Sequence, residues 1–370
     1  MTTETPETKR RKRKYRGIVL GTPVAIVLVL GAALGLMTIK PTATHAAAPL
    51  TPAAAAMQGL LMPYAPVTRP PTALRYAHTV ASIPVLAYHQ VDAGCSIEVL
   101  VCNAPGNPET VSRNQFRQEL AFLQTQGYAS VTAAEYVAWA TDKSPKLPMH
   151  PILITFDDGT INSYLDTSDL LEEYGFTAVT FAVTQFADGA QAKQAAYVGW
   201  FASWTQLKSL WTDTWSFAFH AGAQGHTIPY GSVNSCQYFY PCQQPGESDA
   251  KYQTRVKNEI AAGRADLAKN LPGSRVNTDM WAVPFDDVGL NPGKVVLGLE
   301  PNGWLAKWAK TQFQVVFVQD DTHNGNLNER YRLEVEGTWS EAQFEKNFFG
   351  NIANNFFTRV HKAPAAKGTV

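Results

Sequence analysis

The most informative part of this chain is the segment Pro151-Ile152-Leu153-Ile154-Thr155-Phe156-Asp157-Asp158-Gly159. Its apolar first half predicts a buried strand, which would hold the residues at its C-terminal end rigidly beside a cleft. Neighbouring side chains on a strand point to opposite faces, so Asp157 and Asp158 reach one site only if the chain turns, and Gly159 permits a turn. Two adjacent carboxylates resist joint ionisation unless a cation or separate roles relieve them. We therefore interpret one acid as a metal ligand and the other as a general base. A polar surface turn is the alternative.

Strand-like and helix-like segments alternate on both sides of this strand. Ser112 predicts the N-cap of a helix whose Phe116, Leu120 and Leu123 share one face, and Gly127 predicts its end. Repeated βα units imply an α/β fold with a parallel sheet. About seven such units favour closure into a barrel, although patterning alone leaves an open doubly wound sheet as an alternative. Further buried strands are predicted at residues 129–132, 152–156, 178–183, 215–219, 280–285 and 314–318, and further helices through Tyr136 and Trp139, Leu170 and Leu171, and Leu207 and Leu210.

The N-terminal part of the chain differs in composition from the rest. Across all 370 residues the formal net charge is zero, which gives no indication of nucleic-acid binding, but residues 1–16 carry a basic cluster. Residues 17–38 are apolar and uncharged over about the twenty residues that a membrane-spanning helix requires. Basic residues before such a segment keep that side cytoplasmic. We therefore predict a cytoplasmic segment (1–16), a transmembrane signal-anchor (17–38), an Ala/Pro/Thr-rich linker (39–80), a folded domain (81–360) and a tail (361–370).

Two features of the exported part depend on this topology. The small residues Ala46-Ala47-Ala48 would suit cleavage of a signal peptide, so anchorage and secretion both remain open, with the length of the apolar run favouring anchorage. The four cysteines form two local pairs, Cys95 with Cys102 and Cys236 with Cys242. In an exported protein such pairs predict disulfides, and their spacing does not match a zinc finger.

The eight histidines differ in their promise as metal ligands. His220 follows a predicted strand at the end that also presents Asp157 and Asp158, and His226 follows in a loop that contains glycine. Histidine is a usual partner of a carboxylate at a zinc-like ion, so these two are the candidate ligands. Four others lie in the linker, in the tail or away from the predicted site: His45, His78, His150 and His361.

Residues 147–159 are similar to the signature of the polysaccharide deacetylases. These are metal-dependent enzymes that remove acetyl groups from N-acetylglucosamine polymers or acetylated xylans. Upstream, Ile83-Pro84-Val85-Leu86-Ala87-Tyr88-His89 resembles the first strand of the branch that acts on poly-N-acetylglucosamine. The resemblance covers residues 83 to 345 approximately. It implies a distorted (β/α)7-type barrel, preceded here by the single transmembrane helix and the linker.

The resemblance also assigns roles to individual residues. It implies that Asp157 is the catalytic base, that His89 is the general acid, and that a divalent ion, expected to be zinc, is bound by Asp158, His220 and His226. The family's two histidines lie four or five residues apart, whereas positions 220 and 226 are six apart. His323, which follows another predicted strand, is an alternative acid.

One motif of the family departs from its pattern here. The arginine that steadies the catalytic aspartate is absent from Trp281-Ala282-Val283-Pro284-Phe285-Asp286-Asp287, although the apolar-Pro-aromatic pattern is kept. Arg330 and Arg332 are both candidates to replace it. Trp200, Trp204 and Trp211 are candidates for a sugar-binding groove, although core packing would also explain them.

The resemblance implies a hydrolase that removes N-acetyl groups from an exopolysaccharide or from peptidoglycan outside the cell. The predicted partners are the acetylated polysaccharide and, through the N-terminal helix, the membrane; neither a nucleic acid nor an oligomeric state is indicated. Two alternatives remain open. One is an esterase acting on O-acetylated sugars such as xylan, and the other is a non-catalytic, membrane-tethered glycan-binding protein.

Overall fold

The computed structural model describes residues 73–78, 80–92, 108–143, 145–189, 200–209, 213–226, 239–271, 273, 275–286, 304–318 and 329–353. The predicted cytoplasmic segment, the predicted signal-anchor, most of the linker and the tail lie outside these residues. No helix within the described ranges combines the length and apolar character that crossing a membrane requires. The boundaries predicted for these N-terminal segments therefore stay predictions.

The described residues form an α/β fold. The strands are β1 (Val85–Tyr88), β2 (Gln90–Asp92), β3 (Thr110–Ser112), β4 (Tyr128–Ser130), β5 (His150–Asp158), β6 (Ala178–Val183), β7 (Trp215–Ala221), β8 (Val276–Ala282), β9 (Val315–Val318), β10 (Glu329–Tyr331) and β11 (Leu333–Glu334). The helices are α1 (Arg113–Thr125), α2 (Ala133–Ala140), α3 (Ile161–Leu165), α4 (Ser168–Tyr174), α5 (Thr184–Ala187), α6 (Trp204–Ser209), α7 (Asp249–Asn270), α8 (Trp304–Gln312) and α9 (Glu341–Ala353), with a 3₁₀ turn at Pro284–Asp286.

The main sheet is parallel and its two edges are joined by one segment. Its strand order is β10-β9-β8-β7-β6-β5-β1-β11, with β4 paired to the start of β5. The edge strands β10 and β11 are separated in the chain by Arg332 alone. One short segment therefore pairs with β9 on one side and with β1 on the other. This brings the two edges together, as a distorted barrel requires and an open doubly wound sheet does not. The predicted parallel α/β fold is confirmed.

Alternate side chains of the strands enter two different apolar clusters. Leu153 and Val179 pack in the cluster that α2 closes, whereas Ile154 and Ala178 pack in the cluster beneath the surrounding helices. This is the period of two that an extended strand dictates. By the same alternation Thr155 lies on the face of Leu153, and both it and Asp157 are buried.

The local signals for α1 and its surroundings are confirmed. The Ser112 side chain accepts a hydrogen bond from the Gln115 backbone N–H at 3.1 Å, and Gly127, just beyond the helix, has φ +76°. A left-handed residue of this kind is a usual way to leave a helix. The predicted strand at residues 280–285, in contrast, is wrong in extent. Strand β8 ends at Ala282, because Pro284 has no N–H to give to a ladder, and Phe285 has φ +61°.

Candidate metal centre and active site

The two adjacent aspartates are separated by a tight turn at the end of β5. Asp158 has φ +70° and Gly159 has φ +81°, and the Gly159 N–H donates to the Asp157 carbonyl oxygen at 2.8 Å. A hydrogen bond across one residue with positive φ is a γ-turn, a strained conformation that non-glycine residues seldom adopt. The turn is thus centred on Asp158, one residue earlier than the glycine that suggested it. It changes the direction of the chain between the two carboxylates.

Asp158 meets the two predicted histidine ligands. Its Oδ1 lies 3.3 Å from His220 Nε2 and 2.9 Å from His226 Nε2. The three ligand atoms lie within 4.8 Å of one another. His220 comes from the end of β7, and the loop after that strand carries His226, so all three side chains lie at the C-terminal ends of parallel strands. Active sites of parallel α/β barrels are found at this end.

The chemistry of these atoms fits a divalent ion. His220 Nδ1 lies 2.7 Å from the carbonyl oxygen of Ala282, which can only accept, so Nδ1 carries the proton and the Nε2 lone pair faces Asp158. Two acceptor atoms at such a short distance share a cation, which is a proton in an ion pair or a metal ion in a coordination site. Ligands about 2.0–2.1 Å from a tetrahedral zinc ion lie roughly 3.3 Å apart, close to the observed separations. Burial by itself would raise the pKa of Asp158, but the two histidines hold it well below its usual range.

Asp157 is held by a buried arginine. Arg332 Nη1 donates to Asp157 Oδ1 at 2.7 Å and Nη2 donates to Oδ2 at 2.6 Å. Asp157 is 2% exposed and Arg332 is 1% exposed. The sequence left Arg330 and Arg332 equally open, and Arg332 is the one that contacts Asp157, from the position between β10 and β11. Burial raises the pKa of Asp157, but the charge of Arg332 and its hydrogen bonds, together with His220 and His89, lower it below its usual value.

His89 lies just beyond β1 in a strongly negative environment. Its Nδ1 lies 4.0 Å from Glu334 Oε1, and its carbonyl oxygen accepts a hydrogen bond from Ser163 Oγ at 3.0 Å. Burial acts to lower the pKa of His89, but the carboxylates of Glu109, Asp157, Glu334 and Asp158 raise it above its usual value. The imidazole is therefore biased toward the protonated form that a general acid needs.

Aromatic side chains surround His226. Its ring centroid lies 5.2 Å from that of Phe186 and 4.4 Å from that of Phe285. Phe186 in turn stacks on Phe201 at 3.9 Å. Among the tryptophans proposed for a sugar groove, Trp204 donates its Nε1 proton to Asp188 Oδ1 at 2.5 Å. The ring centroids of Trp200 and Phe201 lie 6.5 Å apart, so Trp200 adjoins this aromatic cluster.

The remaining predicted residues are either away from the site or outside the description. His150 is exposed at the start of β5, and His78 contacts the backbone carbonyl oxygen of Tyr76. Neither belongs to the cluster of Asp158, His220 and His226. Cys242 is buried and is not a free thiol, but the other three cysteines lie outside the described residues, so both predicted pairings stay predictions. The alternative acid His323 and the groove candidate Trp211 also lie outside them.

Two residues of the site, Glu334 and Phe285, were not predicted from the sequence. Glu334 follows the Arg332 position by two residues and faces His89, but a lone acidic residue near a strand is not distinctive. Phe285 was assigned to a strand, whereas it adopts a positive φ and contacts His226. An aromatic residue in that conformation is unusual and is typically found where function requires it. Pro284, which lacks a backbone N–H, was the residue from which the end of the strand before Phe285 could have been predicted.

Comparison with known proteins identifies related sequences and folds. No family model matches the chain. YxkH of Bacillus subtilis (strain 168), a candidate polysaccharide deacetylase, is 31% identical over 104 residues, which are 28% of this chain and 32% of that protein. The poly-beta-1,6-N-acetyl-D-glucosamine N-deacetylase of Escherichia coli (strain K12) is 24% identical over 194 residues, covering 48% of this chain and 28% of that protein. The chain thus spans about a third or less of the length of these relatives.

A solved structure shows the same fold. The de-N-acetylase from Aggregatibacter actinomycetemcomitans superposes with a TM-score of 0.55 at 17% sequence identity, covering 72% of this chain and 99% of that one. At this identity the likeness establishes the fold alone. The relatives in sequence and in structure are polysaccharide deacetylases, including enzymes of the poly-N-acetylglucosamine branch, and the resemblance carried by the sequence is thereby confirmed.

Proposed function

We propose that this chain is a metal-dependent hydrolase that removes N-acetyl groups from an N-acetylglucosamine-containing polysaccharide. The observation that carries the proposal is the pairing of two adjacent carboxylates with different partners. Asp157 is bound by Arg332, and Asp158 is bound by two imidazoles. This is the division between base and metal ligand that the chemistry needs. The names of the E. coli relative and of the structural neighbour support an N-acetyl group as the target.

Asp158, His220 and His226 would hold the ion. Such an ion supplies Lewis acidity, which polarises a carbonyl and makes water more acidic. The Ala282 carbonyl fixes the tautomer of His220, and the γ-turn directs the Asp158 carboxylate toward both imidazoles. Zinc is the expected metal because two histidines and one carboxylate are a ligand set typical of catalytic zinc sites.

Asp157 would take the proton of the attacking water. Its ion pair with Arg332 keeps the pKa of Asp157 below the usual value, so the carboxylate is ionised at neutral pH, as a base must be. Arg332 binds both oxygens and therefore fixes the orientation of the carboxylate. Its guanidinium also lies over the rings of Phe181 and Phe317, at 5.4 and 5.7 Å, which restricts its own movement.

His89 would donate a proton to the departing nitrogen. Hydrolysis adds one water across the acetyl C–N bond: the oxygen joins the acetyl carbon, the C–N bond breaks, and the nitrogen receives a proton. The products are acetate and a free amine on the sugar. Burial acts to lower the pKa of His89, but the surrounding carboxylates raise it and so favour the protonated ring. General acid–base help of this kind contributes about 10²–10⁴-fold.

The cellular setting is part of the proposal. A signal-anchor at residues 17–38 and a flexible linker at residues 39–80 would hold the folded domain outside the cell, next to exopolysaccharide or peptidoglycan. Disulfides between Cys95 and Cys102 and between Cys236 and Cys242 would suit that oxidising compartment. Cleavage of the signal would instead release the same domain.

Acetate release distinguishes the proposed reaction from its alternatives. The purified protein, loaded with zinc, is given N-acetylglucosamine oligomers and, separately, acetylated xylan. We expect acetate from the first substrate, and a loss of about 10²–10⁴-fold in His89→Gln. His150→Gln, at the opposite end of β5, is the matched control and should retain the wild-type rate.

Other outcomes would support the alternative functions. Acetate from xylan alone would indicate an O-acetyl esterase, and glycan binding without acetate release would indicate a non-catalytic binding protein. Two departures from the family pattern motivated the binding alternative: the six-residue histidine spacing and the missing arginine. His226 nevertheless contacts Asp158, and Arg332 binds Asp157. The geometry thus favours the enzyme.

A further inference from the structure

The loop that carries His226 is held by a carboxylate from a distant helix. Glu259 Oε1 accepts a hydrogen bond from the Gln224 backbone N–H at 2.8 Å and from the Gly225 backbone N–H at 2.7 Å. Glu259 lies in the middle of α7 and is 9% exposed. The two amides immediately precede His226. A single oxygen atom therefore fixes the backbone at the entry to that side chain.

The loop and α7 approach each other more closely than side chains would allow. A Cβ at Gly222 would lie 2.8 Å from Glu259 Oε1 and 2.9 Å from the Glu259 carbonyl oxygen. A Cβ at Gly263, one helical turn further along, would lie 2.9 Å from the Gly222 Cα. Both positions thus need glycine for this contact. The absence of side chains lets the Glu259 carboxylate reach the loop amides.

A Tyr240 side chain closes the other side of the loop. A Cβ at Gly225 would lie 2.2 Å from the Tyr240 hydroxyl oxygen. Gly225 is thus confined between Tyr240 and the hydrogen bond to Glu259. The peptide before His226 has little freedom to move as long as both contacts persist.

We propose that Glu259 is the positioning residue that brings His226 to the metal centre, and the proposal rests on the metal site of the proposed function. The separation of positions 220 and 226 exceeds the family's by at least one residue, so the loop must accommodate extra backbone. Glu259 accepts two amide protons of that backbone, at the end next to His226. Irregular backbone amides that are buried require such a partner.

No competing partner draws the carboxylate away. Within the described part of the chain, Glu259 forms no ion pair with a lysine or arginine, and the two loop amides are the donors that it binds. Arg255, one turn earlier on α7, is bound to Glu247. Burying a carboxylate is costly, and the two hydrogen bonds that offset part of this cost also fix the backbone of the loop. What they fix is the position of His226.

The test compares zinc affinities of four single variants. Glu259→Ala removes the acceptor, and Glu259→Asp keeps the charge but withdraws it by one methylene. Glu259→Gln keeps the side-chain length and one acceptor oxygen, which suffices because both loop amides donate to the same oxygen. We expect the Ala and Asp variants to lose about 10–100-fold in affinity, as is typical for residues that orient a ligand. The Gln variant should stay within a few-fold of wild type. Asp266→Asn, on the same helix, is the matched control.

The mechanism is tested by combining Glu259→Ala with His226→Ala. If Glu259 acts through His226, its removal costs no further zinc affinity once His226 is gone. Affinities are measured by competition with a chromophoric chelator on the whole protein, and near-ultraviolet circular dichroism of the metal-free variants reports folding. If Glu259→Ala does not fold, the comparison of the Asp and Gln variants still decides, because it separates reach from charge.

The outcomes separate this proposal from the proposed function. Wild-type affinity in both Glu259→Ala and Glu259→Asp would overturn the positioning role, and so would an undiminished effect of Glu259→Ala in the His226→Ala background. A wild-type protein that binds no zinc would overturn the metal site and the role of Glu259 with it. The expected affinity pattern without acetate release would support the positioning role and contradict the catalytic proposal.

Discussion

Replacing Arg332 with methionine tests the most buried ion pair among the residues that the structure describes. Asp157 and Arg332 are 2% and 1% exposed and share two hydrogen bonds of 2.7 and 2.6 Å. Arg332→Met keeps an unbranched side chain between Phe181 and Phe317 but leaves the carboxylate of Asp157 without its cation. Removing one partner of a buried pair costs about 3–5 kcal/mol, because the other charge stays in a poor solvent. The free energy of unfolding should fall by this amount.

The assay is urea unfolding at neutral pH, followed by circular dichroism. Arg113→Met is the matched control, because Arg113 also forms two hydrogen bonds with one carboxylate, that of Asp169, but these two side chains are 24% and 21% exposed. Arg113→Met should lower the free energy of unfolding by about 1 kcal/mol. Asp157→Asn combined with Arg332→Met should cost less than the sum of the single changes, because no unpaired charge remains.

The pH dependence of this effect gives a second check. In the wild type, the lowered pKa of Asp157 stabilises the fold above the pKa of the unfolded chain, and this contribution is lost at low pH. Without Arg332, its charge and hydrogen bonds no longer lower the pKa of Asp157, while burial still acts to raise it. The difference in free energy of unfolding between the wild type and Arg332→Met should therefore shrink as the pH falls toward about 4, where the carboxyl becomes neutral. If Arg332→Met lowers the free energy of unfolding by less than about 1 kcal/mol at neutral pH, or by more in acid than at neutral pH, Arg332 does not stabilise the buried charge of Asp157.

Three further predictions address other parts of the molecule. Burial raises the pKa of Glu119 from 4.5 to about 8, so the free energy of unfolding falls as the pH rises between these values, by about 1.4 kcal/mol per pH unit. Glu119→Gln should abolish this fall. If urea unfolding shows the same pH dependence for the variant and the wild type, the prediction is wrong. Burial acts to lower the pKa of His89, and Glu109 is the foremost group that raises it. Glu109→Gln should therefore move the alkaline limb of the pH profile of kcat/KM to lower pH. An alkaline limb at the wild-type position would count against His89 as the general acid. A Cβ at Gly263 would lie 2.5 Å from Phe219 Cε2, so Gly263→Ala should lower the free energy of unfolding by about 1–3 kcal/mol; a variant stabilised by its better helix propensity would show that the contact is not tight.

Local signals in the sequence predicted the parts of the fold that depend on neighbouring residues. Ser112 and Gly127 marked the two ends of α1, and the apolar run before Asp157 marked β5, because caps and alternation act over a few residues. The same local reasoning failed at Phe285. There the chain leaves the sheet after Ala282, and only the missing N–H of the following proline indicated this.

Partners that are far apart in the sequence could not be assigned in this way. Arg332 lies 175 positions after Asp157, and its neighbour Arg330 was an equally good candidate until the strand pairing was known. The contact of His226 with Asp158 depends on Glu259, 34 residues beyond Gly225. Neither residue belongs to a motif, since each is selected by the packing of one element against another. Local sequence patterns thus indicated the candidate ligands and the candidate base but not the residues that orient them.

We propose above that Asp157 and the ion-binding residues act together in hydrolysis of an N-acetyl group. The most direct test is acetate release from N-acetylglucosamine oligomers by protein stripped of metal and then given zinc, for the wild type and for Asp157→Asn. We predict release only after zinc is restored, and a loss of about 10²–10⁴-fold in Asp157→Asn with zinc still bound. Equal release with and without the ion, or a wild-type rate in Asp157→Asn, would contradict it.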